Sequence, residues 1–189
     1  MNQGVLDTIY LVLTHPKDGL GEASRNKSFG WSLVVYTIAI VVWRGASILG
    51  AVGERTGILG STGFLDIVLC AIAGLAVLFV TAGVLHLVAR ILRGHGSYSG
   101  LVCALAFAAL PVVFFAPLSV LDVTLGTAGF VLYCVGGLAL LVWAFVVLEV
   151  IALRENYGFS TRRALVTYFL PPLALFLLSA AVYGISLLV

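Results

Sequence analysis

Charge is what this chain has least of. Of its 189 residues only ten are basic and eight acidic, together 10%, where a soluble domain carries about 25%. The net charge of +2 comes with no basic run, so no nucleic-acid footprint is present. Histidine is scarce as well: His15, His86 and His95 are not at ligand spacing, and no HExxH occurs, which removes the usual metal sites. No phosphate-binding loop and no GxSxG elbow is present, and no cofactor is implied. The three cysteines, Cys70, Cys103 and Cys134, form no CxxC pair and fall inside apolar runs, where they read as small core hydrophobes. Disorder, coiled coil, collagen and disulfide scaffolds are excluded by the same composition. No cleavable signal peptide is recognisable, because the first long apolar run begins near Ser28 behind a polar segment.

Long apolar runs are what the chain does have. Apolar residues make up 62% of it, and the mean hydropathy is +1.18. A soluble globule of this size cannot hide that much apolar surface. A helix needs about 20 apolar residues to cross a bilayer core. Uncharged runs of that order occupy Ile67–Leu85, Leu101–Leu121, Val123–Leu148 and Ala164–Val189; a fifth begins at Ser28 and is interrupted only by Arg44, which can snorkel. The runs are continuous rather than alternating, which selects helices over a β-barrel. The sequence therefore predicts an all-α integral membrane bundle of five transmembrane helices, at about 29–49, 65–88, 101–121, 128–150 and 164–188. A tight turn at Asp122–Ala128 makes the third and fourth a hairpin.

Basic residues set the orientation. Lys17, Arg25, Lys27, Arg90, Arg93, Arg154, Arg162 and Arg163 fall on one side, and only Arg44 and Arg55 on the other. That puts the N-terminus in the cytoplasm and the C-terminus outside. Residues 1–27 precede the spans. Within them Gly4–Leu13 is too short to cross, and Val5, Leu6, Ile9, Val12 and Leu13 share a helical face, so a short interfacial helix ending at His15-Pro16 is expected. It lies on the leaflet, packs as a lid on helix ends, or does both.

Two segments resemble each other. HLVARILRGHGS runs from His86 to Ser97 and VIALRENYGFST from Val150 to Thr161; aligned on Arg90 and Arg154, they also match Gly94 with Gly158. One reading is a parallel repeat of helix pairs two-three and four-five. The other is shared loop chemistry, glycine at the C-cap and Ser or Thr at the N-cap. Polar residues near the spans mark a candidate polar cavity or interhelical link made of His86, Arg90, Glu149 and Arg154. Glu149 lies deeper than Arg154 on its helix, and an ion pair with Arg90 is the expectation. Pro111, Pro117, Pro171 and Pro172 are candidate kinks. Gly100, Ala104 and Ala108 form a small ridge suited to close helix packing, as do Ala180 with Gly184 and Ala46 with Gly50, and Gly136-Gly137 thins the fourth helix. Trp31 and Trp43 are placed at opposite interfaces of the first span. No nucleophile is paired with a base, and no two carboxylates pair within a helix, so the sequence supports no enzyme.

This layout, with the proline-marked His15-Pro16-Lys17 and the stretch Val142–Pro172 containing LREN and then STRRA, resembles the Yip-domain family of Ypt/Rab-interacting membrane proteins over about Leu11–Val189. The resemblance implies a multi-pass membrane protein acting as a membrane or trafficking adaptor, its partners being the lipid bilayer, another membrane protein or a second copy of itself. The chain contains neither a DLYGP nor a GYGLTPL-like motif and has only a short segment before its first span. That departure argues against a Rab-type GTPase partner and points to a prokaryotic member. The alternative function is a small transporter or channel with a cytoplasm-facing polar cavity.

Overall fold

The structure of the protein, a computed structural model, describes residues 4–26, 29–51 and 61–186. Lys27 and Arg55, two of the residues counted for orientation, lie outside the described residues, as do 187–189. Every regular element among the described residues is helical. Two short helices, α1 (Val5–Thr14) and α2 (Pro16–Asn26), precede α3 (Phe29–Ala51) and α4 (Ser61–Ile91). Then α5 (Tyr98–Ala108) passes through a tight 3-10 turn at Leu110–Phe114 into α6 (Phe115–Leu125). α7 (Thr127–Val142) passes through a widened π turn at Trp143–Leu148 into α8 (Glu149–Tyr157), and α9 is Thr161–Ser186. Five segments are long and apolar enough to cross a membrane: Phe29–Ala46, Gly63–Ile91, Tyr98–Leu125, Thr127–Tyr157 and Thr161–Ala181. The all-α, five-span architecture expected from the apolar runs is the one observed.

The third span supplies the centre. From Leu101 to Ala109 no residue of α5 is more than 3% exposed, because α2, α3, α4 and α8 surround it. Small side chains make this possible. A Cβ on Gly100 would stand 2.6 Å from both the Asn156 Oδ1 and the Ser24 carbonyl oxygen, so only glycine lets α2 and α8 approach α5 this closely. Ala104 and Ala108, one and two turns on, are buried in the same seam. By contrast Ala180 of the second small ridge is exposed. Gly137 meets Phe115, whose ring would lie 2.8 Å from an added Cβ, and this seats α7 on α6.

α3 and α4 run antiparallel. Tyr36 donates to the Gly74 carbonyl at 3.1 Å, Arg44 pairs with Asp66 at 2.7 Å, and the Phe29 and Phe79 rings lie 6.2 Å apart. The start of the first span is thus level with Phe79. We call the end of the bundle that carries α2 the capped end and its opposite the open end. At the open end α6 turns into α7 on the single residue Gly126, whose φ of 57° suits glycine. The hairpin is tighter than the seven residues expected; α6 runs on to Leu125.

Three sequence expectations are revised. Pro16 does not only end α1; it opens a second helix, since its fixed φ and missing N–H suit a first helical position. α1 folds back on α2 and packs along the third span as far as Leu110–Phe114, burying Thr8 and Val12, so it leans on the side of the bundle. Trp43 is not a free belt residue: it is half-buried, with its ring 6.3 Å from that of Phe115. Trp31 is 59% exposed.

Candidate functional site

Polar groups collect at the capped end because two spans finish there and three begin. α4 ends with the Gly94 N–H on the Ala89 carbonyl at 2.8 Å, and α8 with the Phe159 N–H on the Arg154 carbonyl at 3.1 Å. These are matching C-caps, each closed by one residue in the left-handed region. That residue is Gly158 (φ 66°) in the second, but Arg93 (φ 61°) in the first. The caps therefore correspond with a shift of one residue from the alignment on Arg90 and Arg154. Gly94 instead makes room for two rings, since a Cβ there would sit 2.6 Å from the Phe159 ring and 2.7 Å from that of Tyr157. The following helices start on serine, Ser97 Oγ accepting from the Gly100 N–H at 3.1 Å and Ser160 Oγ from that of Arg163 at 3.5 Å.

The two junctions touch. His86 Nδ1 lies 2.5 Å from the Tyr157 hydroxyl, and the His86 ring meets the ring of Tyr98 edge-on at 5.8 Å. Tyr157 stacks on Phe159 at 5.5 Å. Asn156 Nδ2 donates to the Ser97 carbonyl at 3.0 Å, and Tyr98 donates to the Phe79 carbonyl at 3.2 Å. This aromatic and amide cluster locks α4, α5 and α8 together.

Of the four residues singled out from the sequence, the structure brings His86 into this cluster, leaves Arg90 near enough for its charge to act on His86 and Tyr157, and separates Glu149 and Arg154 from it. The expected Glu149–Arg90 ion pair is not made. α4 packs chiefly on α3, α5 and α9, not on α8. Glu149 stands beside Val80–Leu85 of α4, whereas Arg90 lies five or more residues further along, exposed. Arg154 pairs with its neighbour instead, its Nη2 lying 2.8 Å from Glu155 Oε1. Glu155 also borders a polar groove of about 420 Å³ between α2 and α8, with Lys17, Asp18, Glu22 and Arg25.

Glu149 is only 8% exposed. It lines a cleft of about 270 Å³ between α4 and α9, with Thr81, Val84, Tyr168, Pro171 and Leu175 among the walls. Tyr168 donates its hydroxyl proton to the Phe145 carbonyl, within the π turn. Among the described residues neither a salt bridge nor a hydrogen bond engages the Glu149 carboxyl. The prolines divide in role. Pro111 stands in the 3-10 turn that separates α5 from α6, Pro117 in the first turn of α6, and Pro171 and Pro172 inside α9 on the wall of this cleft. Sequence reasoning missed Tyr98, Asn156, Tyr157 and Tyr168. Their signal was available in part: each is a polar-tipped residue in or beside a span end, where hydroxyls and amides seek partners.

A third hollow, of about 590 Å³, lies between α3 and α6 towards the open end, walled by Val42, Ala46, Pro117, Val120 and Val123. Its lining is almost wholly apolar, as expected of a lipid-facing crevice.

No curated protein and no solved structure matches the chain. A family model does: the Yip1 domain matches residues 10–183. The match spans α2 to α8, most of α9 and the second half of α1, and therefore the clusters described above; the chain belongs to the Yip1 domain family of multi-pass helical membrane proteins.

Proposed function

We propose that the chain is a non-enzymatic membrane adaptor, acting through lipid, protein partner or self-association, with its capped end in the cytoplasm of a cell whose plasma membrane it occupies. The observation that carries this reading is the distribution of polar groups. The aromatic cluster around His86, the charged groove of Lys17, Asp18, Glu22, Arg25 and Glu155, and Arg90, Arg93, Arg162 and Arg163 all gather at one end. Such a face suits contact with anionic headgroups or an acidic partner segment. Among the described residues the open end carries the Arg44–Asp66 pair, Asp122 and otherwise mainly apolar surface. The residues expected to form a hydrated cavity are split between an ion pair, a ring cluster and a lateral cleft, which favours the adaptor over the transporter.

Reconstitution decides between them. An adaptor copurifies with a defined partner or lipid from mild detergent and gives no saturable flux of ions or small solutes in liposomes. Saturable flux that depends on the protein would overturn the adaptor reading.

A further inference from the structure

We propose that the cleft between α4 and α9 binds a primary ammonium group, with Glu149 as its counter-charge. A carboxyl taken out of water is held either by a proton or by a positive partner, and a cation that reaches it displaces the proton. Glu149 is nine-tenths buried, it lines the cleft, and no basic side chain pairs with it among the described residues. The protein supplies the anion and leaves the cation to the ligand.

The cleft offers further acceptors, among them the Thr81 hydroxyl, which can donate or accept. Tyr168 lines it, and because the hydroxyl proton already goes to the Phe145 carbonyl, the oxygen presents lone pairs. Pro171 and Pro172 have no N–H, so the Thr167 and Tyr168 carbonyls lack their in-helix donors. A primary ammonium offers three hydrogens in a tripod, which the Glu149 carboxylate, the Tyr168 phenol oxygen and the Thr81 hydroxyl of the lining can share. A divalent metal asks for six or more oxygens, several of them charged, and only one carboxylate is present. The volume of about 270 Å³ also exceeds a bare ion's need, a water molecule's share being about 30 Å³. It suits an ammonium carried on a larger body.

Depth and direction identify that body. The cleft opens sideways between helices whose neighbouring residues Val80, Val84 and Leu175 are exposed and apolar, so it is reached from the lipid. The Phe29 and Phe79 rings lie 6.2 Å apart, which puts the α4 wall of the cleft just beyond the level at which the first span starts. Pro171 and Leu175 of the facing wall stand well inside α9, about 15–20 Å along it at the usual rise per residue, so a ligand reaches Glu149 from the acyl region with its headgroup drawn down between the helices. An aminophospholipid held in this way carries its ammonium on an apolar body; a soluble amine is the other source of the same chemistry. The inference requires only a chain embedded in lipid and stands whether or not a protein partner exists.

The test is native mass spectrometry of the whole protein released from nanodiscs of equal parts phosphatidylethanolamine and phosphatidylcholine. The quaternary ammonium of the second lipid donates no hydrogen bond. Preferential retention of phosphatidylethanolamine is expected, falling about tenfold or more in Glu149→Gln, as for a lost charge-assisted hydrogen bond. Tyr168→Phe, which keeps the carboxylate, gives a smaller fall in the same direction and serves if Glu149→Gln does not fold. Added ethanolamine at millimolar concentration leaves retention unchanged if the lipid is the ligand; competition by it assigns the site to soluble amines. Equal retention of the two lipids with no binding of ethanolamine, or retention indifferent to both substitutions, would overturn the proposal. Saturable flux in liposomes, the result that overturns the adaptor reading, is measured apart from lipid retention, so failure here and failure of that reading are distinguishable.

Discussion

The two ends of this bundle are built differently from the same apolar alphabet. At the capped end α5 is enclosed on all sides, glycines 94, 96 and 100 each sit where a Cβ would meet other atoms at 2.6 Å, and the rings of His86, Tyr98, Tyr157 and Phe159 interlock. Towards the open end most residues of α7 and the later turns of α9 face outwards, with Leu175, Phe176, Leu177 and Leu178 all more than half exposed; tight contact is concentrated in the α6–α7 hairpin. Lipid gives apolar side chains no reason to seek one another, so shape and hydrogen bonds hold helices together where they are held. Stability and recognition should then both reside at the capped end.

Substitutions can break that contrast. The largest effect is expected from Gly100→Val, which drives a branched side chain into the Asn156 amide and the Ser24 carbonyl. Overpacking costs about 1–3 kcal/mol even where neighbours can shift, and a backbone carbonyl cannot, so loss of the folded protein in detergent is expected by thermal unfolding. Gly83→Ala, with nothing within 4 Å of the added carbon, should be neutral to slightly stabilising. Next comes truncation. Leu101→Ala removes a fully buried side chain and should destabilise by about 2–5 kcal/mol, while Leu178→Ala, which touches mainly lipid, should stay within about 0.5 kcal/mol. Equal effects at the two leucines would show that packing is uniform and the contrast wrong.

The architecture was legible in the sequence for one reason: a span is a statement about composition over about 20 residues, and composition survives ignorance of neighbours. All-α class, five spans and the small-residue seam at Gly100 follow from runs and spacing. What was not legible depends on which helices adjoin. Pairing Glu149 with Arg90 assumed that α4 and α8 are neighbours, but α5 fills the space and α9, not α8, lies along α4. The π turn at Trp143–Leu148 has no sequence mark; it is stabilised by the distant Tyr168 of α9. The left-handed Arg93 beside a glycine was equally hidden, since nothing local says that Gly94 is reserved for the Phe159 ring.

Finer tests sharpen the same comparison. Tyr157→Phe removes the partner of His86 and should cost about 1 kcal/mol, the usual net value of one hydrogen bond, read as a lower unfolding temperature. Arg93→Gly relieves a left-handed residue and should raise stability slightly, by about 0.5–1 kcal/mol, with the cap unchanged. A destabilised Arg93→Gly would mean that the arginine side chain makes a contact worth more than its backbone strain.

The central claim is that the capped end, where the polar groups converge, faces the cytoplasm. Single cysteines at Thr161, exposed at the start of α9, and at Thr127, exposed at the α6–α7 turn, test it in cells with Cys70, Cys103 and Cys134 replaced. A membrane-impermeant thiol reagent should label Thr127→Cys in intact cells and reach Thr161→Cys only after the membrane is opened. Labelling of Thr161→Cys from outside intact cells, with Thr127→Cys protected, would reverse the orientation and contradict the claim.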